Sequence, residues 1–272
     1  MIIFEQPRIS NVLDHAKVNA NNVKGKMGIT LWGDQYSLKP TNDLFKNYLL
    51  GFKAKSQVST KSSFWPGSTG IQVDDDTVGI NIEAWSDWKN IQKNLRKGTI
   101  VMGYNFVPVP VKDKVFVYSL DMAVPSMKTF NKGVAHVVAW YSFADKKNKK
   151  SFWMGLNLAD SRESYRFMEH VSLDEGTNSY MVSSSIDKSA YDYGTFNSSN
   201  FPDFRHYEFN VSNGRILRAV LKLNQKGLNF SEDINDYVLG HVNLNPEIRV
   251  WSWKDYAQIG IKVKNWKLAY TL

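Results

Sequence analysis

The chain of 272 residues contains no cysteine, so neither a disulfide framework nor a thiolate metal site can form. It also lacks any run of about 18 apolar residues, the length that a membrane-spanning helix requires. The first ten residues, MIIFEQPRIS, do not show the basic segment and long apolar segment of a signal peptide. These absences predict a soluble chain. They leave the compartment open, because three kinds of protein fit them: an intracellular one, one exported to the cell surface or medium by another route, and a mature one that has lost its signal.

Motifs for nucleotide and metal chemistry are missing as well. There is no phosphate-binding Gly-Lys-Ser/Thr loop, no dinucleotide fingerprint and no Gly-x-Ser-x-Gly elbow. The five histidines include no pair at the spacings that suit zinc. Two oxygen-rich stretches supply Asp74, Asp76 and Asp174 as candidate ligands of a structural Ca²⁺, although neither has EF-hand spacing and ordinary turns use the same residues. The sequence therefore predicts either no cofactor or a structural Ca²⁺.

The formal net charge of +8 favours anionic partners, which include acidic glycans, anionic cell surfaces and nucleic acid. The lysines are scattered through the chain instead of clustering on one helix or strand. A solvated basic surface is the simpler interpretation, and nucleic acid is an unlikely partner because only the bulk charge favours it. Nothing in the sequence indicates an oligomeric state.

Aromatic residues make up 14% of the chain, with nine tryptophans, and Gly, Asn and Ser interrupt the apolar runs often. This composition is typical of a β-rich protein. About a dozen short strands and one or two short helices can be recognised, with no linker and no internal repeat. We therefore predict a single all-β domain over residues 1–272, built as a jelly-roll β-sandwich of antiparallel strands.

Three local patterns make specific predictions. Asn213 and Gly214 form the strongest short hairpin signal, so Arg205–Val211 and Ile216–Leu223 are expected to pair as strands. Leu44–Leu50 has helical spacing and is expected to form a short helix, although a strand over Leu49–Ala54 is the competing interpretation. Ile91–Leu95 is expected to form one helical turn.

Proline places a further restriction on the run from Thr99 to Val111, which is rich in valine and aromatic residues. Pro108 and Pro110 have no backbone N–H to donate to a neighbouring strand. The second half of this run is therefore expected at a sheet edge or outside the sheet. Val115–Met122, which follows, is a clear strand.

The most informative pattern is a long hairpin, formed by Val134–Phe143 and Phe152–Ala159 around a charged loop. With Phe143 opposite Phe152, one face of the hairpin is apolar throughout, because alternation commits every second residue to one side. The expected pairs on that buried face are Tyr141 with Met154, Ala139 with Leu156 and Val137 with Leu158.

The other face of this hairpin has a different character. Its expected pairs are Ser142 with Trp153, Trp140 with Gly155, Val138 with Asn157 and His136 with Ala159. Two large rings, an amide and an imidazole beside a glycine can form a platform for a flat polar ligand, and a sugar ring is the obvious candidate. The alternative is that a second layer of protein covers this face.

The last eighty residues carry a family resemblance. His206–Val211, Arg218–Asn224 and the closing Ile261–Thr271 resemble strands of the concanavalin A-like jelly-roll group of lectins and polysaccharide-active enzymes. The resemblance implies a jelly-roll fold and a glycan ligand. The Glu-x-Asp-x-x-Glu string usual in hydrolases of this fold is absent, and Gln258-Ile-Gly260 lacks the histidine of the alginate-lyase-like Gln-x-His strand. The familiar catalytic apparatus is therefore missing or rearranged.

We predict first a lectin-like protein that binds a glycan, with acidic glycans among the candidates. The binding surface is expected on the hairpin face described above, bordered by the polar and aromatic loop Asp187–Asp203. The predicted ligand-binding residues are Trp140, Trp153, His136, Asn157, Tyr191 and Tyr193.

The alternative is a polysaccharide lyase or glycoside hydrolase in the same groove, so the sequence leaves open whether the protein is an enzyme. A lyase needs a base and a group that neutralises a uronate, and His136, Arg162 and Tyr165 are the candidate catalytic residues. A hydrolase needs two carboxyl groups about 5–10 Å apart. Its candidate carboxylates are Glu83, Asp160, Glu169 and Glu247. A third possibility is a non-enzymatic assembly module, such as a surface protein of a phage or of a secretion system.

Overall fold

The computed structural model describes residues 1–5, 26–33, 58–60, 69–73, 77–85, 96–162, 171–174, 179–183, 199–252 and 254–272. Within these ranges the chain forms fourteen strands, one α-helix and one short 3-10 helix. The expected helices Leu44–Leu50 and Ile91–Leu95 lie outside the described residues. In the described part, no helix has both the length and the apolar character needed to cross a membrane.

Strands of 3 to 16 residues make up most of the described chain. In chain order they are β1 (Ile2–Glu5), β2 (Lys26–Gly33), β3 (Val58–Thr60), β4 (Thr69–Val73), β5 (Val78–Trp85), β6 (Arg96–Pro110), β7 (Val115–Phe130), β8 (Val134–Asp145), β9 (Lys150–Asp160), β10 (Val171–Asp174), β11 (Ser179–Ser183), β12 (Phe201–Val211), β13 (Tyr237–Val250) and β14 (Tyr256–Thr271). The helices are α1 (Asn213–Gln225) and the 3-10 turn Ile234–Asp236.

The strands form two sheets of seven. The first has the order β12-β7-β14-β5-β4-β3, with β1 also paired to β14, and the second has the order β10-β11-β9-β8-β13-β6-β2. All described pairings are antiparallel except that of β9 with β11. Neighbours in each sheet are mostly distant in sequence, as in a jelly roll. The predicted all-β jelly-roll sandwich is confirmed.

The core lies between the two sheets. On the first sheet, alternate residues of β7 such as Tyr118 and Leu120 are fully buried. On the second sheet, Tyr141 and Phe143 of β8 are fully buried and pack towards them. The rings of Tyr118 and Tyr141 lie 5.4 Å apart across this space. Burial of apolar surface contributes about 25 cal/mol per Å² and is the main favourable term in folding.

The prediction for the proline-containing strand is also confirmed. β2 pairs with β6 only from Gly98 to Asn105, whereas β13 pairs with β6 as far as Pro110. Residues 106–110 therefore have a single strand neighbour among the described strands. At such a position a proline costs no ladder hydrogen bond.

The prediction that Ile216–Leu223 forms a strand is wrong, because this segment belongs to α1. Ser212 is the N-cap residue in extended conformation, and its carbonyl accepts hydrogen bonds from the N–H groups of Arg215 and Ile216. The fully buried residues of α1 recur at helical spacing and are Ile216, Ala219, Val220 and Leu223. Arg205–Val211 is a strand as expected, but it pairs with β7.

The register predicted for the long hairpin holds for six consecutive pairs, from Phe143 opposite Phe152 to Val138 opposite Asn157. A β-bulge follows. Leu158 is the extra residue, so Val137 lies opposite Ala159 and His136 lies opposite Asp160. The predicted pairs of Val137 with Leu158 and of His136 with Ala159 are therefore wrong. Leu158 and Ala159 are both buried in the core, and this brings the carboxylate of Asp160 to the same face as His136.

Candidate functional site

Three neighbouring strands, β9, β8 and β13, present one set of side chains on the side of the second sheet opposite the core. We call this set the polar face. The strand register arranges it in four rows, each with one residue from each strand. In the order β9, β8, β13 the rows are Asp160–His136–Glu247, Asn157–Val138–Asn245, Gly155–Trp140–Asn243 and Trp153–Ser142–His241.

The first row contains two carboxylates with an imidazole between them. His136 Nε2 lies 3.2 Å from Glu247 Oε2, and both residues are buried. Nη2 of Arg249, two residues further along β13, lies 3.8 Å from the same carboxylate oxygen. Glu247 is thus positioned by a histidine that can donate to it and by a nearby guanidinium.

The second carboxylate of this row, Asp160, is fully buried and held more tightly. The Arg162 side chain donates from Nε to Oδ1 at 2.9 Å and from Nη2 to Oδ2 at 2.8 Å, and the Arg162 backbone N–H donates to Oδ1 at 2.9 Å. Asn157 Nδ2 is 3.5 Å from Oδ2. A bidentate guanidinium of this kind is a strong, charge-assisted partner for a carboxylate, so Asp160 and Arg162 hold each other in place.

The Trp140 ring lies against Gly155 in the third row. A Cβ atom added to Gly155 would come within 2.3 Å of Cζ3 and 2.5 Å of Cε3 of the Trp140 ring. Only glycine leaves this space, so the choice of residue on β9 fixes the position of a half-exposed indole on β8.

In the fourth row, Trp153 and His241 meet over Ser142. Their rings are 5.3 Å apart and nearly perpendicular. Burial lowers the pKa of His241 to about 4, because the charged imidazolium loses hydration there. His241 is therefore neutral at physiological pH, and its Nε2 lies 3.4 Å from Asn243 Nδ2.

Several buried polar atoms of the polar face have no hydrogen-bond partner in the described part of the chain. They are His136 Nδ1, Trp153 Nε1, Asn243 Oδ1 and Asn245 Oδ1. A buried group left unpaired costs about 1–3 kcal/mol. A ligand that carries several hydroxyl groups, each both donor and acceptor, has the chemistry to pair with all four.

The structure places four of the predicted ligand-binding residues, His136, Trp140, Trp153 and Asn157, together on the polar face. Their roles in binding stay predictions. Arg162 adjoins this face through Asp160. Tyr165, Tyr191, Tyr193, Asp74 and Asp76 lie outside the described residues.

Asp174, the third predicted Ca²⁺ ligand, is a residue of β10 opposite Ser179. Among the residues that the structure describes, no three His, Asp or Glu side chains are grouped so as to hold a metal ion. Of the hydrolase candidates, Glu83 belongs to β5 of the first sheet and Glu169 lies outside the described part.

Sequence reasoning missed the contribution of β13 other than Glu247. His241, Asn243 and Asn245 alternate with buried Val242 and Leu244. A strict alternation of polar and apolar residues is the pattern of a strand with one functional face, and this signal was present in the sequence. It gives no indication of the neighbouring strand, so it could not place these residues beside β8.

No protein-family model matches this sequence, and no curated protein sequence matches it either. Among solved structures, the chain is similar to a family 12 xyloglucanase from Bacillus licheniformis, with a TM-score of 0.41, 10% identity, and coverage of 80% of this chain and 91% of that one. It is also similar to the family 11 xylanase from Neocallimastix patriciarum, with a TM-score of 0.37, 11% identity, and coverage of 76% of this chain and 98% of that one. Both proteins are named for the polysaccharides on which they act.

Proposed function

We propose that the protein binds a polysaccharide chain on the polar face and hydrolyses it there. The observation that carries this proposal is the row Asp160–His136–Glu247. Strands lie about 4.8 Å apart, so the Cα atoms of the two acidic residues are roughly 10 Å apart. Side chains that start from this separation can bring two carboxyl groups to the spacing of about 5–10 Å that glycoside hydrolysis uses.

The two carboxylates have different surroundings, which suits different roles. Arg162 holds both carboxylate oxygens of Asp160, so Asp160 serves as the fixed carboxylate of the pair. Glu247 lies within hydrogen-bond distance of His136 Nε2, and we assign Glu247 as the candidate proton donor and acceptor. His136 is a positioning residue for Glu247 in this scheme.

The remaining rows supply the means to hold the polymer. Trp140 and Trp153 offer aromatic surface for the apolar side of a sugar ring. The unpaired oxygens of Asn243 and Asn245 and the unpaired indole N–H of Trp153 match the donors and acceptors of hydroxyl groups.

The proposal is tested by measuring new reducing ends on a panel of neutral and uronate-containing polysaccharides. The panel includes acidic polymers because the net charge of +8 favours them. We expect Glu247→Gln to lower the rate at least about 100-fold and to leave binding intact. The matched control is Glu208→Gln, on β12 of the first sheet, which is expected to retain the wild-type rate. Equal rates in wild type and Glu247→Gln would refute the assignment.

A second candidate function is polysaccharide binding without cleavage, and the burial of Asp160 favours it. Three hydrogen bonds from Arg162 occupy the carboxylate of Asp160, so Glu247 is the acidic group left for proton transfer among the described residues of the face. Under this alternative, wild type binds the panel without producing reducing ends or unsaturated products absorbing near 235 nm. Trp140→Ala and Trp153→Ala would each weaken that binding. A rise in absorbance at that wavelength would indicate a lyase instead.

A further inference from the structure

The outer face of the first sheet, on the far side of the core from the polar face, has a row of aromatic positions at one end. The register places Phe130 of β7 opposite Tyr256 of β14, and Tyr256 opposite Trp85 of β5. Residues directly opposite in an antiparallel sheet share a face. Ala257 and Ile259 are fully buried in the core. Because side chains alternate along a strand, Tyr256 points to the opposite side, away from the core.

A row of polar positions lies two residues along from these aromatics. Lys128 is opposite Gln258, and Gln258 is opposite Glu83. The Tyr256 hydroxyl donates to Gln258 Oε1 at 3.2 Å, which confirms that the two side chains lie on the same side of β14. The aromatic pair Phe130 and Tyr256 thus lies beside the polar pair Lys128 and Gln258 on two neighbouring strands, β7 and β14.

Phe130 has the most exposed aromatic side chain among the residues whose burial the structure describes. It is 68% exposed, and no aromatic ring or cation contacts it within the described ranges. Phe204 of the same sheet is 39% exposed, but the Lys264 ammonium lies 4.5 Å from its ring centroid. An exposed aromatic ring beside polar groups has the chemistry to hold a sugar ring, because the apolar side of the sugar packs on the aromatic face.

We propose that this surface, which we call the aromatic platform and define by Phe130, Tyr256, Lys128 and Gln258, is a second binding site for a polysaccharide chain. It extends for about 5 Å across one strand spacing, with aromatic faces for the apolar side of sugar rings and polar groups for their hydroxyls. A protein partner would need a wider apolar area, because stable interfaces bury about 800 Å² on each side.

The platform rests on the proposed function only in sharing the same class of ligand. It lies on the other sheet from Glu247, so it contributes no group to the chemistry. Its expected role is to hold the protein on an insoluble polymer while the polar face engages a single chain. Two sites on opposite sheets raise the apparent affinity for a polymer without raising it for a short oligosaccharide.

The test measures binding of the full chain to insoluble cellulose, insoluble xylan and alginate gel beads, in the Glu247→Gln background so that cleavage does not interfere. We expect Phe130→Ala to weaken binding to at least one of these polymers by about 5- to 10-fold. The matched control is Leu221→Ala, which removes a 47% exposed apolar side chain from α1 and is expected to change nothing. Phe130 is exposed, so its substitution leaves the fold intact.

Three results would overturn the platform: unchanged affinity in Phe130→Ala, an equal loss in Leu221→Ala, or a wild-type dimer in sedimentation that Phe130→Ala dissociates. The outcome is separable from that of the proposed hydrolysis. Polymer binding that depends on Phe130, in a protein that cleaves nothing, supports the platform and refutes the hydrolase. Cleavage of soluble chains, combined with unchanged polymer binding in Phe130→Ala, supports the hydrolase and refutes the platform.

Discussion

Gly155 sets the position of Trp140, and replacing this glycine with alanine tests the geometry of the polar face. The added Cβ would meet three atoms of the Trp140 ring at 2.3 to 2.7 Å, closer than real side chains approach. Either the indole moves or β9 shifts. Overpacking of this kind costs about 1–3 kcal/mol, so we expect Gly155→Ala to lower the free energy of unfolding by that amount.

Urea denaturation gives this quantity, provided that wild type and variant have equal m-values. The matched control is Gly240→Ala, in β13 of the same sheet. There the nearest neighbour of an added Cβ is Pro108 Cγ at 3.5 Å, an ordinary contact, and we expect a change within about 0.5 kcal/mol. Polysaccharide binding by Gly155→Ala is expected to fall together with stability, because the displaced indole no longer offers its face.

A double-mutant cycle identifies the cause of the loss. If the strain comes from the Trp140 ring, Gly155→Ala costs little in a Trp140→Ala background, and the coupling between the two changes is about 1–3 kcal/mol. Additive effects would show that alanine destabilises β9 for another reason. The conclusion that Gly155 exists to accommodate Trp140 would then be wrong.

Three further predictions concern the core and two titrating groups. Burial by itself raises the pKa of Asp145, but hydrogen bonds from the Ser231 and Asn148 backbone and from the Asn148 side chain outweigh it and lower the pKa below 3.8. Asp145→Asn should therefore cost about 2–3 kcal/mol at pH 7, and this difference should shrink as the pH falls below about 4, which a pH series of urea midpoints measures. His241, with its pKa lowered to about 4 against 6.5 in the unfolded chain, should make the protein less stable as the pH falls from about 6.5 to 4; His241→Gln should flatten this slope, and equal slopes would contradict a buried neutral imidazole. Leu223→Ala should lower the free energy of unfolding by about 2–5 kcal/mol and Leu221→Ala by under about 0.5 kcal/mol, in thermal or urea unfolding. Similar losses in the two variants would instead favour the strand interpretation, in which both side chains share a face.

The long hairpin shows what alternation can establish. The register from Phe143 opposite Phe152 follows from a single requirement, that the apolar residues of both strands share one side. The bulge at Leu158 does not follow from it, because an extra residue leaves the apolar pattern nearly unchanged when Leu158 and Ala159 are both apolar. This local irregularity is what exchanges Ala159 for Asp160 in the first row, so the least predictable feature of the hairpin decides its chemistry.

The error at α1 has a different origin. Asn213 and Gly214 favour a tight turn, but they also suit the start of a helix after Ser212. Ile216, Ala219, Val220 and Leu223 have the period of a helix, whereas the strand interpretation requires alternate residues to be buried. The local turn signal was given more weight than the longer periodic one, and the periodic one was correct.

The polar face could not be assembled from sequence because it depends on which strands are neighbours. β8 and β9 are joined by a short loop and their pairing can be read directly, whereas β13 begins about ninety residues after β8 ends and reaches its place beside β8 through the sheet topology. That topology determines which side chains meet at the candidate site. It brings Glu247 to His136 and places Asn243 and Asn245 beside Trp140, so that unpaired polar atoms costing about 1–3 kcal/mol each gather on one face. A fold with an extensive apolar core can tolerate such a cost, and its concentration on one face is what a binding site for a hydroxyl-rich ligand requires.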